Sequence, residues 1–123
     1  MAIIVATDGR IVGTGYNGSP PNTPNCTDGG CPRAQQDVPH GSTYANCVAC
    51  HAEANALLYS DRRDRRSATL YVSGPPCWDC AKLIASSGIS RVVCYTDSAY
   101  ADWPRVRRFL YDADIQVVTI DRP

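Results

Sequence analysis

The stretch ATLYVSGPPCWDCAKLIASSGISRVVCYT, residues 68–96, decides the fold. Its opening ATLYVS (68–73) predicts a buried strand and Gly74-Pro75-Pro76 a break. CWDCAKLIASSG (77–88) predicts a helix that stops at Gly88, and SRVVCYT (90–96) a second strand. A strand, a helix and a strand in succession form a crossover, and strands joined that way run parallel.

The same reading extends in both directions. DWPRVRRFLYDAD (102–114) predicts a helix with Asp102 near its start and Pro104 in its first turn, where a missing N–H costs little. IQVVTI (115–120) follows as a last strand. Upstream, HAEANALLYS (51–60) combines good helix formers with apolar residues at helical spacing. At the start, AIIVAT (2–7) and IVGTGY (11–16) flank Asp8-Gly9, a strong hairpin signal. The order is ββ-αβαβαβ, which predicts an α/β fold with a mixed sheet: an antiparallel hairpin joined to parallel crossovers.

Between Asn17 and Asn46 the chain is loop-like and holds most of the prolines. A loop of about 30 residues inside a compact domain is usually functional, tied down or disordered. This one carries Cys26, Cys31 and His40, so we expect it to be tied down.

Composition narrows the class. At 123 residues the chain is expected to form one domain, residues 1–123. Twelve basic and 12 acidic residues leave no net charge, so a dedicated nucleic-acid binder is not expected. No run approaches the ~18 apolar residues of a membrane span, and MAIIVATDGR turns polar too soon for a signal peptide. A cytoplasmic setting is therefore expected. Seven cysteines, an odd number without an export signal, point to metal rather than disulfides.

Two short motifs carry chemistry. His51-Ala52-Glu53 opens one predicted helix and Pro76-Cys77-Trp78-Asp79-Cys80 the next, at the sheet edge where open α/β folds place their sites. Cys77 and Cys80, three apart at a helix start, can reach one ion, and the helix N-terminus favours their negative charge. With His51 they make three ligands of the types zinc prefers, leaving a fourth position for water, the arrangement of a catalytic zinc. Glu53 is close enough to move protons without being a ligand.

His-x-Glu followed by Pro-Cys-x-x-Cys is the pattern of zinc-dependent nucleobase deaminases, and this chain resembles them. IVGTGYNGSP (11–20), CHAEANAL (50–57) and PPCWDCAKLIASSGISRVV (75–93) are similar to the deoxycytidylate (dCMP) deaminases in particular. The resemblance implies a cytidine deaminase-like three-layer α/β/α sandwich on a mixed sheet of about five strands. It implies hydrolysis of dCMP to dUMP and ammonia, with Glu53 as the proton shuttle and zinc on His51, Cys77 and Cys80. It also implies substrate contacts from Asn17, from the backbone at Ala52, from Ser73 and from Tyr100, and a homo-oligomer. Family members usually begin with a helix carrying an arginine suited to the 5′-phosphate, whereas this sequence starts at the strand. That predicts a sheet face shielded by another subunit, by the last helix, or poorly. Arg33, Arg10 and Lys82 are the substitutes for the phosphate contact.

Several residues keep two readings. Cys26, Cys31, Cys47 and Cys50, with His40 able to replace one thiolate, have spacing suited to a second, structural zinc. Cys50 fits either that metal or plain packing. Cys94 reads as a core residue and Trp78 as packing beside the metal. DRRDRR (61–66) reads as a solvated helix end with arginines near its negative pole, or as a subunit or phosphate contact. Within the enzyme class, free cytidine or cytosine, a modified cytosine nucleotide, or a base in tRNA or single-stranded DNA are alternative substrates. From another class, a non-catalytic zinc-stabilised binding module fits the cysteines but leaves Glu53 without a use.

Overall fold

In the computed structural model, residues 1–24, 48–97 and 99–123 are described. The elements are β1 (Ala2–Val5), β2 (Ile11–Gly15), α1 (Ala52–Leu58), α2 (Arg62–Arg65), β3 (Thr69–Val72), α3 (Trp78–Ser86), β4 (Arg91–Tyr95), α4 (Trp103–Asp112) and β5 (Gln116–Ile120). They form one sheet in the order β2-β1-β3-β4-β5. β1 is antiparallel to both β2 and β3, while β3, β4 and β5 run parallel. The α/β class and the mixed five-stranded sheet are as expected.

The local signals act as predicted. The Asp8-Gly9 turn closes on bonds from Ala6 N–H to Arg10 O and from Gly9 N–H to Ala6 O, both 2.9 Å. Gly88, at φ +95°, ends α3 in the left-handed region. Pro104 lies in the first turn of α4.

The helices share one face. β3-α3-β4 and β4-α4-β5 step in the same direction, so right-handed crossovers put α3 and α4 on the same side. α3 touches both α1 and α4, and one apolar cluster joins Ala56, Ile84, Val106 and Leu110 to Ile4, Leu70 and Val92 of the sheet. The described helices therefore supply one of the two helical layers of an α/β/α sandwich. The other face presents Ile3, Tyr71, Val93, Tyr95 and Ile120 around a shallow hollow of about 320 Å³. The last helix does not shield this face, and no other described helix does; Tyr71 is 41% exposed there.

DRRDRR departs from its reading as the tail of a helix. α1 ends at Tyr59, and the Asp61 carboxylate accepts from Arg63 N–H at 2.8 Å to start the separate single turn α2. The pull of arginines toward helix C-termini is nevertheless real. Arg65 donates to Leu57 O (2.9 Å) and Ser60 O (2.6 Å) behind α1, and to Ser87 O (3.2 Å) behind α3. Arg62 donates to Ser86 O at 3.3 Å. Carbonyls orphaned at two helix ends are satisfied by one turn.

β2 carries α1 directly. A Cβ at Gly15 would collide with Ala52 O and Ala56 N, and one at Gly13 would lie 3.0 Å from Ala56 O. Since α1 begins with His51 as its N-cap, this close approach fixes where the first motif sits. Gly15→Ala should cost about 3 kcal/mol or more, because the obstructing atoms are backbone and cannot rotate away. Denaturant unfolding measures this; a loss below about 1 kcal/mol would mean that α1 is free to shift.

Candidate active site

The three parallel strands β3, β4 and β5 end at one edge, and α1 and α3 begin there. His51 and Cys77 are the N-caps of these helices, both with extended backbone (ψ 156° and 171°), which swings their side chains across the helix starts. Pro75 and Pro76 favour an extended approach to Cys77, because the residues before them, Gly74 and Pro75, avoid the helical region. Cys80 follows in the first turn of α3, buried.

The two motifs meet. His51 Nδ1 lies 3.4 Å from Cys77 Sγ and 3.5 Å from Cys80 Sγ, and the three ligand atoms all fall within 4.8 Å of one another. A tetrahedral zinc with bonds of about 2.0–2.1 Å to nitrogen and 2.3 Å to sulfur needs N···S edges of about 3.5 Å. The site has that geometry, so these residues could hold zinc. They are the one such group among the described residues. The hydrogen bond from Cys80 holds the Cys77 thiol down to about 4, and the same bond pushes Cys80 up. Bonding to Cys77 raises His51 against the opposing effect of burial.

Glu53 lies on the first turn of α1, 7% exposed, in the wall of a cavity of about 290 Å³ that also exposes His51 and Cys77. Burial pushes its pKa up, toward the range in which a carboxyl both takes and returns a proton near neutral pH. The sequence-predicted substrate residues Asn17, Ala52, Ser73 and Tyr100 line the same cavity.

Asn17 has a further task. Its Oδ1 accepts from Ala52 N–H at 2.7 Å, so it caps α1 from another element. The segment around it is fastened to the front of α1. Gly18 and Cys50 exchange backbone bonds of 3.1 and 2.8 Å, and Asn55 Nδ2 donates to Tyr16 O at 2.8 Å. Ser73 is engaged at every polar atom: its N–H donates to Met1 O, its Oγ accepts from the Met1 amino group and its carbonyl accepts from Arg122 Nη2, all at 3.1 Å. Gly74 and Pro75 line the cavity beside it. Trp78 packs as expected, its ring 4.9 Å from that of Phe109 and covered by Arg105 at 4.0 Å. Cys94 is buried in the core and its thiol is pushed up to about 11 by burial.

The second-zinc residues Cys26, Cys31, His40 and Cys47 lie outside the described residues, as does Arg33. Cys50 is half-buried. Two of the phosphate substitutes are placed elsewhere: Arg10 pairs with Asp8 at 2.8 Å in the hairpin at the opposite sheet edge, and Lys82 with Asp79 at 3.0 Å along α3. Sequence reasoning missed Asn55, Asp97 and Arg122. For Arg122 a signal existed: it follows the last parallel strand, whose end must share the edge of the other two.

The model of the cytidine and deoxycytidylate deaminase zinc-binding region matches residues 1–96, which include both motifs. The chain belongs to this family. Among its relatives, the deoxycytidylate deaminase of Mycobacterium phage D29 is 53% identical over 98 residues, covering 76% of this chain and 75% of that protein. The deoxycytidylate deaminase of Saccharomyces cerevisiae is 40% identical over 103 residues, or 83% of this chain and 32% of the yeast protein. In structure, the dCMP deaminase of cyanophage S-TIM5, solved in complex with dCMP and dUMP, superimposes with a TM-score of 0.70 at 27% identity. That superposition covers 97% of this chain and 79% of the phage enzyme.

Proposed function

We infer that this chain is a zinc-dependent deaminase that hydrolyses dCMP to dUMP and ammonia. The observation that carries the reading is the convergence of a zinc-sized His-Cys-Cys group and a buried carboxyl in one cavity. The relatives named deoxycytidylate deaminase support the substrate.

His51, Cys77 and Cys80 would hold the metal, which when bound supplies a Lewis acid that lowers the pKa of coordinated water to near 7. Glu53 does the proton work. It takes a proton as water adds to C4 of the cytosine and returns it to N3; it then moves the proton of the new C4 hydroxyl to the amino group, so that the C4–N4 bond breaks and ammonia leaves a C4 carbonyl behind. Its burial beside the ligands shields these transfers from solvent. Asn17 holds the first turn of α1, and with it His51 and Glu53, in register with β2. Gly74 and Pro75 frame the base, and Tyr100, buried at the cavity wall, closes over the nucleotide.

No described helix is long and apolar enough to cross a membrane. The described cysteines are free thiols, which supports a cytoplasmic setting. The open apolar face of the sheet supports a homo-oligomer. The test is a turnover panel of dCMP, CMP, dCTP, deoxycytidine, cytosine and a short single-stranded oligonucleotide. The expected result is the highest kcat/KM for dCMP; turnover of the oligonucleotide alone would overturn the substrate assignment.

A further inference from the structure

We propose that Arg122 reads the 5′-phosphate and thereby sets the preference for a nucleoside monophosphate over a free nucleoside. The proposal rests on the deaminase reading above.

Arg122 follows β5, so it emerges at the edge where β3 and β4 also end. Its side chain crosses the end of β4, with the guanidinium carbon 5.3 Å from the Tyr95 ring centre. It then donates from Nη2 to Ser73 O, beyond β3, at 3.1 Å. These two contacts hold the cation in the wall of the cavity that contains His51 and Glu53. A guanidinium has five N–H donors, and the bond to Ser73 uses one. A phosphate can therefore be gripped bidentately without displacing the anchor.

The other cations near this edge are engaged: the Met1 amino group, in the same cavity wall, donates to Ser73 Oγ at 3.1 Å. Arg105 forms paired bonds of 2.9 and 2.8 Å with Asp102 while covering Trp78. Lys82 pairs with Asp79, and Arg122 has no carboxylate partner among the described residues. Asp97 also lines the cavity, but its Oδ1 accepts from Ala99 N–H at 3.0 Å within its own turn. Polarity orders the cavity as well. Glu53 is buried while Arg122 is exposed, so a nucleotide enters base first and leaves its phosphate in water at the mouth, where the charge costs least.

The experiment compares dCMP with deoxycytidine for the zinc-loaded wild type, Arg122→Gln and Arg122→Lys. For Arg122→Gln, kcat/KM for dCMP should fall about 10- to 100-fold, mostly through KM, the effect of one charged hydrogen-bonding contact. Turnover of deoxycytidine should fall far less than that of dCMP, and Arg122→Lys should recover part of the loss. Calorimetric binding of dUMP should weaken in parallel, which reads the contact without turnover. An equal loss on both substrates would mean a merely structural role, and an unchanged dCMP preference would remove Arg122 from the site; either overturns the proposal. A wild-type chain that turns over neither substrate would instead overturn the deaminase reading, and this proposal with it.

Discussion

Glu53→Gln should lower kcat for dCMP by about 10⁴-fold, at the upper end of what a positioned general acid–base contributes. Glutamine keeps the shape and can still hydrogen-bond, but it cannot accept and return a proton. The same change should leave zinc content unaltered, because Glu53 is not among the metal-sized group. It should not destabilise the fold either: burial disfavours the charged carboxylate at this position, and the neutral amide removes that penalty. Steady-state kinetics with elemental analysis and thermal unfolding separate these effects. Activity within about tenfold of wild type would remove Glu53 from the chemistry.

Cys80→Ala should be as severe by a different route. Cys80 is 4% exposed and supplies one of three ligand atoms from the first turn of α3. Two remaining ligands hold zinc poorly. Loss of an outer-shell partner alone costs 10–100-fold in affinity, so losing a ligand should weaken binding by at least about 100-fold. Activity should fall to background and elemental analysis should show one zinc fewer per chain. The core should survive, since alanine fills most of the space of a small buried thiol. A variant that retains full zinc content and activity would show that the metal lies elsewhere.

Much of this site was readable before any coordinates, because its signals are local. His51 and Glu53 sit at one helix start and Cys77 and Cys80 at another, and the intervening helix and strand bring the two starts to one edge. The Asp8-Gly9 turn and the Gly88 cap are likewise decided by a few adjacent residues.

What escaped was decided by partners far apart in sequence. YNG reads locally as a turn, yet Asn17 matters because it bonds Ala52, 35 residues away. DRRDRR reads as a solvated helix end, yet Arg65 folds inward because three carbonyls converge on it. That the described helices share one face depends on strand order, which the alternation of strands and helices does not specify. Arg10 and Lys82 were plausible as phosphate contacts from charge alone, but each is paired with an aspartate close by in sequence, away from the cavity lining. Arg122 drew no notice in a polar tail, and it gained significance once β5 was seen to end beside the cavity.

The central claim is that water replaces the amino group of dCMP in this cavity. It is tested most directly by running the reaction in ¹⁸O-labelled water and analysing the product by mass spectrometry. The account predicts dUMP carrying one heavy oxygen on the base, formed together with ammonia and lost in Glu53→Gln. Absence of product from the zinc-loaded wild type, or dUMP without the label, would contradict it.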